Sequence, residues 1–281
     1  MGDVHEFAYA GIVLTGFDQY GTEWTVEKSS GWSDGVNLRV QREARSQQDG
    51  EWDTQPLRSA REVTLMGKAY ATSHLNLEQS GRAFTGAPLR GFMSGRSDEG
   101  ELLAACYMSD APRFEHLSGG IAGWQLTVVA PDPLLYGPET YGSTGLSGVA
   151  GTGLVYPLAY PLDYGVPAGQ TPGAVPVPNA GTASYWPRLR IDGPVANPVV
   201  TCNETGDWVR YNGTLAAGQY LDIDCANRRV LLQGQVSQAA RVTFSGRWLV
   251  IPAGGASLSW NADTSDPAAS LSVFAHEGAW L

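Results

Sequence analysis

The chain has 281 residues, of which 43% are hydrophobic, so it is long enough for one large or two ordinary globular domains with a sizeable core. Its formal net charge of −10 argues against a nucleic-acid-binding face, because such faces neutralise phosphates with clustered Lys and Arg. Charged residues make up only 16%, whereas 35 glycines and 17 prolines favour short strands and tight turns over helices.

The first residues, MGDVHEFAYAGIVLTG, lack the basic region and apolar run of a secretory signal, and no stretch approaches the roughly 18 apolar residues of a membrane span. We therefore expect synthesis in the cytosol and no membrane insertion. The three cysteines, Cys106, Cys202 and Cys225, show no CxxC spacing, which indicates small buried residues rather than a zinc site. The alternative is a disulfide between Cys202 and Cys225 across neighbouring strands, which a reducing compartment disfavours.

The first half of the chain predicts short strands and one hairpin. Alternating runs lie at residues 9–14 and 24–26, and an arginine-rich polar stretch follows at residues 41–61. Within that stretch Asp49-Gly50 is a turn signal, and the alternation of Val63 and Leu65 marks the strand after it. The local unit is therefore predicted to be a hairpin that leads into a strand.

The only helix predicted from the sequence covers residues 74–84, where Leu75, Leu77 and Phe84 form an apolar stripe that Gly81 interrupts. Strands are predicted around residues 102–107 and 125–130. The second of these runs into PDPLLYG, where two prolines end strand pairing, so we place the end of the first domain there.

Residues 137–187 contain 18 glycines or prolines among 51 residues, and Glu139 and Asp163 are their only charged residues. This composition predicts an inter-domain connection, although its tyrosines suggest extended segments packed on something. From Arg188 onward the sequence reads as eight short runs, most of them closed by a turn signal: RLRIDG, WVRYNG, QYLDIDC, RVLLQG, RVTFSG, RWLVIPAGG, SLSWN and SLSVFAH. Such spacing favours a two-sheet antiparallel jelly roll or a related β-sandwich.

No motif for catalysis or metal binding is present in the sequence. GxSxG, HExxH, P-loop and GxGxxG patterns are absent, and the four histidines are scattered without ligand spacing: His5, His74, His116 and His276. Asp222 and Asp224 would share one face of a strand, but the two carboxyls of a glycosidase must flank a bond from opposite sides. We therefore predict no enzyme and no catalytic, cofactor-binding or metal-binding residues, and read the two aspartates as a solvated face or as support for a hairpin opposite Arg228 and Arg229.

Aromatic residues leave carbohydrate binding open as an alternative. The nine tryptophans and twelve tyrosines include four tryptophans in strand-like runs that suit stacking on sugars: Trp186, Trp208, Trp248 and Trp260. Large aromatic side chains also fill sandwich cores and subunit interfaces. Asn203-Glu-Thr and Asn212-Gly-Thr match the glycosylation pattern, but without a secretion signal we interpret them as turns.

The ordered run of these patterns resembles the siphophage distal tail protein family over nearly the whole chain. In the first half the similar segments are FAYAGIVL, REARSQQDGEWDTQPLRSAREVTLMG and LTVVAPDPLLYG. In the second half, VPNAGTASYWPRLRIDGPVANPVVTCNETGDWVRYNGTLAAGQYLDIDCANRRVLLQG resembles the start of the family's galectin-like sandwich, and WLVIPAGGASLSWN its closing strands. Gly255 departs from the pattern, because an asparagine often stands there in the family.

The resemblance implies a mainly β fold: an N-terminal β-sandwich-like ring or belt domain with at most a short helix, in residues 1–135. In residues 136–281 it implies the Gly/Pro-rich connection and a galectin-like jelly-roll β-sandwich. It also implies a function in the virion, assembled in the host cytoplasm, as a homohexameric ring. That ring would join the end of the tail tube, made of the major tail tube protein, to tail-tip and receptor-binding proteins.

The acidity of the chain suits such a ring, because DNA passing through its lumen would be repelled rather than gripped. Replacing lumen-facing acids with lysine is therefore expected to slow DNA release. The alternative from another class is a two-domain carbohydrate-binding module for host surface glycans, which predicts a monomer or dimer with a groove of exposed aromatics. A third alternative, a tail-associated glycan hydrolase, requires two carboxylates across a cleft, and the sequence shows no sign of them.

Overall fold

The protein is described by a computed structural model, which covers residues 4–146, 173–264 and 266–281. Strands make up 51% and helix 6% of the structure, so the predicted fold class, mainly β with at most a short helix, is confirmed. The chain divides into two compact units, residues 1–138 with Trp280 and Leu281, and residues 139–279. Among the described helices none is long and apolar enough to cross a membrane.

The first unit is built mostly on one antiparallel sheet. The bounds of the unit's elements are β1 (Val4–Tyr9), β2 (Ile12–Val13), β3 (Gly16–Phe17), β4 (Glu23–Ser30), β5 (Leu38–Arg39), β6 (Leu57–Arg58), β7 (Arg61–Tyr70), α1 (His74–Thr85), β8 (Arg90–Ser97), β9 (Gly100–Met108), β10 (Arg113–Ser118), β11 (Ile121–Ala130) and β12 (Leu135–Tyr136). The hydrogen-bonded order of the sheet is β2-β1-β8-β9-β11-β7-β4-β3, with β10 on the first half of β11 and β12 beside β9.

The core of the first unit is rich in aromatic rings. In β7 every second residue is buried, which is the alternation that a strand with one covered face requires. Trp24 lies 5.3 Å from Phe84, 5.9 Å from Phe114 and 5.7 Å from Trp124, measured between ring centroids. These distances are those of favourable tilted and edge-to-face ring pairs, so the cluster joins β4, α1, β10 and β11.

Helix α1 begins and ends close to the predicted residues 74–84. The Ser73 side chain accepts a hydrogen bond from the Asn76 N–H and so caps the first turn. Gly81, which interrupts the apolar stripe, faces the Phe114 ring, and a Cβ there would lie 2.7 Å from Phe114 Cε1. The glycine is therefore required by the close packing of the helix on β10.

The bounds of the second unit's elements are β13 (Glu139–Gly145), β14 (Ala174–Val177), β15 (Arg188–Asp192), β16 (Val195–Ala196), β17 (Val199–Cys202), β18 (Trp208–Tyr211), β19 (Thr214–Leu215), β20 (Tyr220–Asp224), β21 (Arg229–Leu232), β22 (Val236–Ser237), β23 (Val242–Phe244), β24 (Ala256–Asn261) and β25 (Ser270–His276), with a 3₁₀ turn at Ala239–Arg241. They form two antiparallel sheets, ordered β13-β25-β15-β20-β21-β22 and β14-β24-β17-β18-β23, and a separate β16–β19 pair. A Cβ on Gly142 of β13 would lie 2.5 Å from Val175 Cγ1 of β14, so the two sheets touch there. The last strand, β26 (Ala279–Trp280), pairs with β12 and belongs to the sheet of the first unit.

Two predicted elements differ in the structure. The run RWLVIPAGG does not form a paired strand, because its one β-bridge joins Ile251 to Tyr185. Pro252 has no N–H to donate, and Gly254 and Gly255, with φ of 91° and 88°, turn the chain away. The flanks of the predicted connection are strands β13 and β14, while its residues 147–172 lie outside the described part of the chain.

Candidate functional site

The most exposed structured segment of the first unit is a hairpin at residues 33–60, called the arm below. All of its residues are exposed except Val36, Thr54 and Ser59, which are half-buried. Strand β5 pairs with β6, and Ala44 forms a second bridge with Glu51 farther out. The arm thus extends the predicted hairpin around Asp49-Gly50 to both sides.

Large apolar side chains on the arm have no cover within the described chain. Their exposed fractions are Leu38 62%, Val40 45%, Trp52 58% and Leu57 50%. The Arg45 guanidinium lies 5.4 Å from the Trp52 ring centroid, but this contact leaves most of the indole in solvent. Because an isolated two-stranded hairpin is marginally stable in water, the arm needs a partner surface to hold one conformation.

The root of the arm is held by Arg61, a buried arginine with 2% exposure. Its Nη1 donates to the carbonyls of Gly31 at 2.7 Å, Trp32 at 2.8 Å and Asp34 at 3.1 Å, and its Nε donates to Pro133 at 2.9 Å. Burial lowers the pKa of Arg61, and the nearby Asp34 charge opposes that shift. Arg61 follows the last residue of the arm and bonds to carbonyls at its start, so it fastens the two ends together.

A polar hollow of about 380 Å³ lies beside this root, between the ends of the arm and β7. Its walls include Asp34, Asn37, Arg61, Glu62 and Thr64. The hollow has charges of both signs but no group of three or more metal-ligating side chains, a statement that holds for the described residues. It therefore shows no specific chemistry of its own.

A second uncovered apolar surface of the first unit lies on the outer side of β8 and β9 and is called the strip below. Leu89 is 75%, Phe92 65% and Tyr107 38% exposed. In the β8–β9 register Phe92 lies opposite Ala105 and Arg90 opposite Tyr107, so their side chains share one face of the sheet. The side chains of Leu89, Phe92 and Tyr107 are therefore available to pack against apolar side chains of a partner.

The outward side of the first sheet of the second unit is polar and is called the polar face below. Antiparallel register places the outward residues in rows across β13, β25, β15 and β20. Its members are Glu139, Tyr141, Ser143, Ser270, Ser272, Phe274, His276, Arg188, Arg190, Asp192, Tyr220, Asp222 and Asp224.

Stacking fixes the arginines of the polar face. The Arg190 guanidinium lies 3.8 Å from the Tyr220 ring centroid, and its Nη2 is 3.2 Å from Asp192 Oδ1. The Arg188 guanidinium lies 4.6 Å from the Phe274 centroid. A guanidinium held over an aromatic ring is restricted in its motion, while N–H groups at its edge stay available as donors.

Tyr141 is the most exposed aromatic residue of the polar face, at 64%. Its hydroxyl is 3.0 Å from Ser272 Oγ, and its ring centroid is 5.4 Å from that of Phe274. Hydrogen bonds with Ser272 and Ser143 lower the pKa of the Tyr141 phenol. The ring is therefore held in place at the edge strand while one side of it faces solvent.

The predicted common face of Asp222 and Asp224 is present, because they lie opposite Arg190 and Arg188 in the register. Asp224 accepts hydrogen bonds from the backbone N–H and the side-chain amide of Asn227, at 2.9 and 2.8 Å. It thus supports the β20–β21 turn, as the hairpin interpretation expects.

The tryptophans weighed as sugar platforms lie in different places. Trp260 is buried and donates from Nε1 to the Gly145 carbonyl at 2.9 Å, so it belongs to the core and not to a platform. Trp186 is 45% exposed, whereas Trp208 and Trp248 are half-buried. None of the four is on the polar face, whose exposed ring, Tyr141, fell within the predicted connection. The alternation in RLRID was the one signal that could have placed both arginines there.

The three cysteines are free and buried, so the disulfide alternative for Cys202 and Cys225 is wrong. Burial raises the pKa of Cys106 to about 11 and that of Cys225 to about 12, which keeps both thiols protonated and unreactive. His74 and His116 have ring centroids 5.4 Å apart, and His5 lies beside Asp98 at 3.4 Å. Across the described residues these histidines form no metal-ligating group with acids or thiols.

Known proteins resemble this chain at two levels, in sequence within the second unit and in fold over nearly the whole chain. Residues 180–272 match the sequence model of the siphovirus-type tail component, C-terminal domain. The SPP1 Dit protein, described as a paradigm of hub adsorption apparatus in Gram-positive infecting phages, is similar over 99% of this chain and 100% of its own, with 15% identity and a TM-score of 0.64.

Two structures of the phage P2 baseplate in its activated conformation are more distant. The calcium form has 10% identity and a TM-score of 0.47 over 90% of both chains, and the strontium form 10% and 0.49 over 96% of both. These two likenesses are too weak to support an argument. No curated protein matches the chain. The resemblance to distal tail proteins is confirmed, since residues 180–272 match the model of the siphovirus-type tail component, C-terminal domain, and the fold of the chain is similar to that of SPP1 Dit.

Proposed function

We propose that the chain is a structural part of the phage tail tip, in which six copies of the first unit form a ring on the last ring of the tail tube. The second unit then contacts tail-tip or receptor-binding proteins. The observation that carries this proposal is the arm, which displays Leu38, Trp52 and Leu57 on a hairpin without a core of its own.

Covering these side chains supplies a driving force for assembly. Each large apolar side chain that becomes buried contributes about 1.5–3 kcal/mol relative to leaving it in water. Part of that gain is offset by the ordering of the subunits and of the arm itself. A surface with several such side chains is typical of an interface and not of an isolated monomer.

The strip provides a second surface for the same contact. A ring closes only when every subunit presents two different complementary patches, one to each neighbour. The arm and the strip both lie in the first unit, both expose large apolar side chains, and they are formed by different strands. We place the arm of one copy over Phe92 and Tyr107 of the next.

The role proposed is geometrical, with no reaction catalysed, and the protein acts in the virion after assembly in the host cytoplasm. The described residues are compatible with this, since Asp222 and Asp224 lie side by side on one sheet face and do not flank a cleft.

Cross-linking between copies tests the arm-to-strip contact. A tagged Trp52→Cys preparation and an untagged Phe92→Cys preparation are mixed under oxidising conditions, and dimers are counted on non-reducing gels. The contact predicts cross-links in the mixture and few in either preparation alone, because a head-to-tail interface does not bring identical residues together. The native cysteines are buried and stay out of the reaction.

Leu117→Cys is the matched control for Phe92→Cys, because Leu117 is 55% exposed but lies on β10. It is expected to give background cross-linking with the Trp52→Cys preparation. Equal yields with the two partners, or efficient cross-linking within the Trp52→Cys preparation alone, would contradict the proposed contact.

A further inference from the structure

The polar face differs from a protein-binding surface in its composition. Two arginines and three aspartates occupy its centre, and serines fill positions between them. The centres of protein interfaces are depleted in aspartate and serine, although they are rich in the arginine and tyrosine that this face also carries. Its aspartates and serines therefore suit an occupant that offers hydroxyl groups.

The charges at the centre of the polar face nearly cancel. Arg190 is paired with Asp192, whereas Arg188 and Asp222 enter no ion pair within the described residues. Arg188 therefore retains free donors and Asp222 free acceptors on neighbouring strands. An acidic ligand would meet the three aspartates, so this balance favours an uncharged ligand that both donates and accepts hydrogen bonds.

Tyr141 adds an aromatic ring in line with these polar groups. The register places Tyr141 opposite Phe274 and Phe274 opposite Arg188, so the three lie in one row across β13, β25 and β15. Neighbouring strands are about 4.8 Å apart, which gives the row a span of roughly 10 Å. Such a span suits a ligand of more than one ring.

We propose that the polar face binds an uncharged oligosaccharide, with a pyranose ring stacked on Tyr141 and hydroxyl groups bonded to Arg188 and Asp222. The apolar side of a pyranose matches the exposed aromatic ring, and the Arg188 guanidinium, held over the Phe274 ring, can bond to its hydroxyls without a large loss of side-chain entropy. The site lies in the second unit and does not depend on ring formation.

An array of uncharged oligosaccharides, probed with the full chain, tests the proposal. Wild-type protein is expected to bind at least one member, and Tyr141→Ala and Arg188→Ala to weaken that binding roughly tenfold or more through lost stacking and hydrogen bonding. Tyr141→Phe keeps the ring and is expected to retain most of the affinity. Circular dichroism of each variant establishes that the strands are intact.

Phe244→Ala is the matched control, since Phe244 is a 40% exposed aromatic residue of the other sheet. It is expected to bind like wild type. Absence of binding to every member of the array overturns the proposal. Binding that survives Tyr141→Ala, or that is lost instead in Phe244→Ala, overturns the assignment to the polar face. Binding only to sulfated or carboxylated sugars also contradicts it, because the ligand would then be acidic.

Discussion

The two units treat their large apolar side chains differently. Among the described residues the first unit exposes eleven of them and the second unit four. The second unit closes its core between two sheets, and the outward side of its first sheet is polar. The first unit also has a buried core, around Trp24, but in addition it carries the arm and the strip, whose exposed apolar side chains are not part of that core. This contrast fits the proposal that the arm and the strip of the first unit are covered by a neighbouring copy.

The largest expected effect separates core from arm within the first unit. Trp24→Ala removes a fully buried ring at the centre of the aromatic cluster, so it is expected to lower the free energy of unfolding by about 3–5 kcal/mol. Trp52→Ala changes an exposed ring of the same type and should cost less than about 0.5 kcal/mol in the dilute protein. Urea unfolding followed by far-UV circular dichroism measures both, and similar losses would remove the distinction.

The second-largest loss of stability is expected at the root of the arm. Arg61→Met leaves four carbonyls of the root without the donors that they have in the native state, which is expected to cost about 3 kcal/mol. Proteolysis at low protease concentration should also cut the arm faster, because its two ends are no longer fastened. Arg58→Met, an exposed change on β6, is the control and should leave both readings unchanged. Wild-type stability in Arg61→Met would show that the root is held by other contacts.

Removal of a buried side-chain amide in the second unit should lower the free energy of unfolding somewhat less. Asn179 is 2% exposed and donates to the carbonyls of Ala183 and Pro252, both at 2.9 Å, while its Oδ1 accepts from the Gly181 N–H. Asn179→Ala is expected to destabilise this unit by about 2 kcal/mol, since several buried polar groups lose their partners. Asn203→Ala, on an exposed turn, should have little effect in the same urea titration. Equal losses of stability in the two variants would mean that the hydrogen bonds of Asn179 do not stabilise the second unit.

The smallest effect depends on pH. Burial by itself would raise the pKa of Asp18, but hydrogen bonds from Ser80, Trp24, Thr22 and Tyr20 outweigh it and hold the pKa below its usual value. The carboxylate therefore stabilises the folded first unit above the unfolded pKa, near 4, and this contribution is lost as pH falls through the folded value.

Stability measured between about pH 5 and pH 2 should therefore fall less steeply in Asp18→Asn than in wild type. Asp53→Asn, which changes an exposed carboxylate of the arm, is the control and should keep the wild-type slope. An unchanged slope in Asp18→Asn would show that Asp18 does not contribute to acid sensitivity.

The sequence predicts those elements whose side chains alternate or follow a turn signal. Strands β7, β11, β15 and β20 and helix α1 were accessible in this way, because one face of each is buried. The sequence predicts a full strand where Ile251 forms only a single bridge, since apolar side chains indicate burial but do not show whether the backbone has a hydrogen-bonded partner strand. Strand β13 was missed because Gly142 and Gly145 resemble linker residues, although Gly142 is needed for close contact between the two sheets.

The surfaces were less predictable than the strands. The sequence marks the arm as a hairpin, but exposure of Trp52 cannot be read from its neighbours, because tryptophan also occurs in cores, as Trp24 does. The polar face depends on the register of four strands distant in sequence, which no local pattern specifies. Such surfaces become visible only when tertiary pairing is known.

The central claim, that the first unit forms a ring, is tested most directly by the mass of the purified chain in solution. Light scattering across a range of concentrations, with negative-stain images of the same sample, gives both mass and symmetry. Ring formation predicts six-fold particles approaching about 180 kDa, six times the 29.9 kDa of one chain, and their loss in Trp52→Glu. A single species of 29.9 kDa at every concentration, also in the presence of tail tube protein, would contradict it.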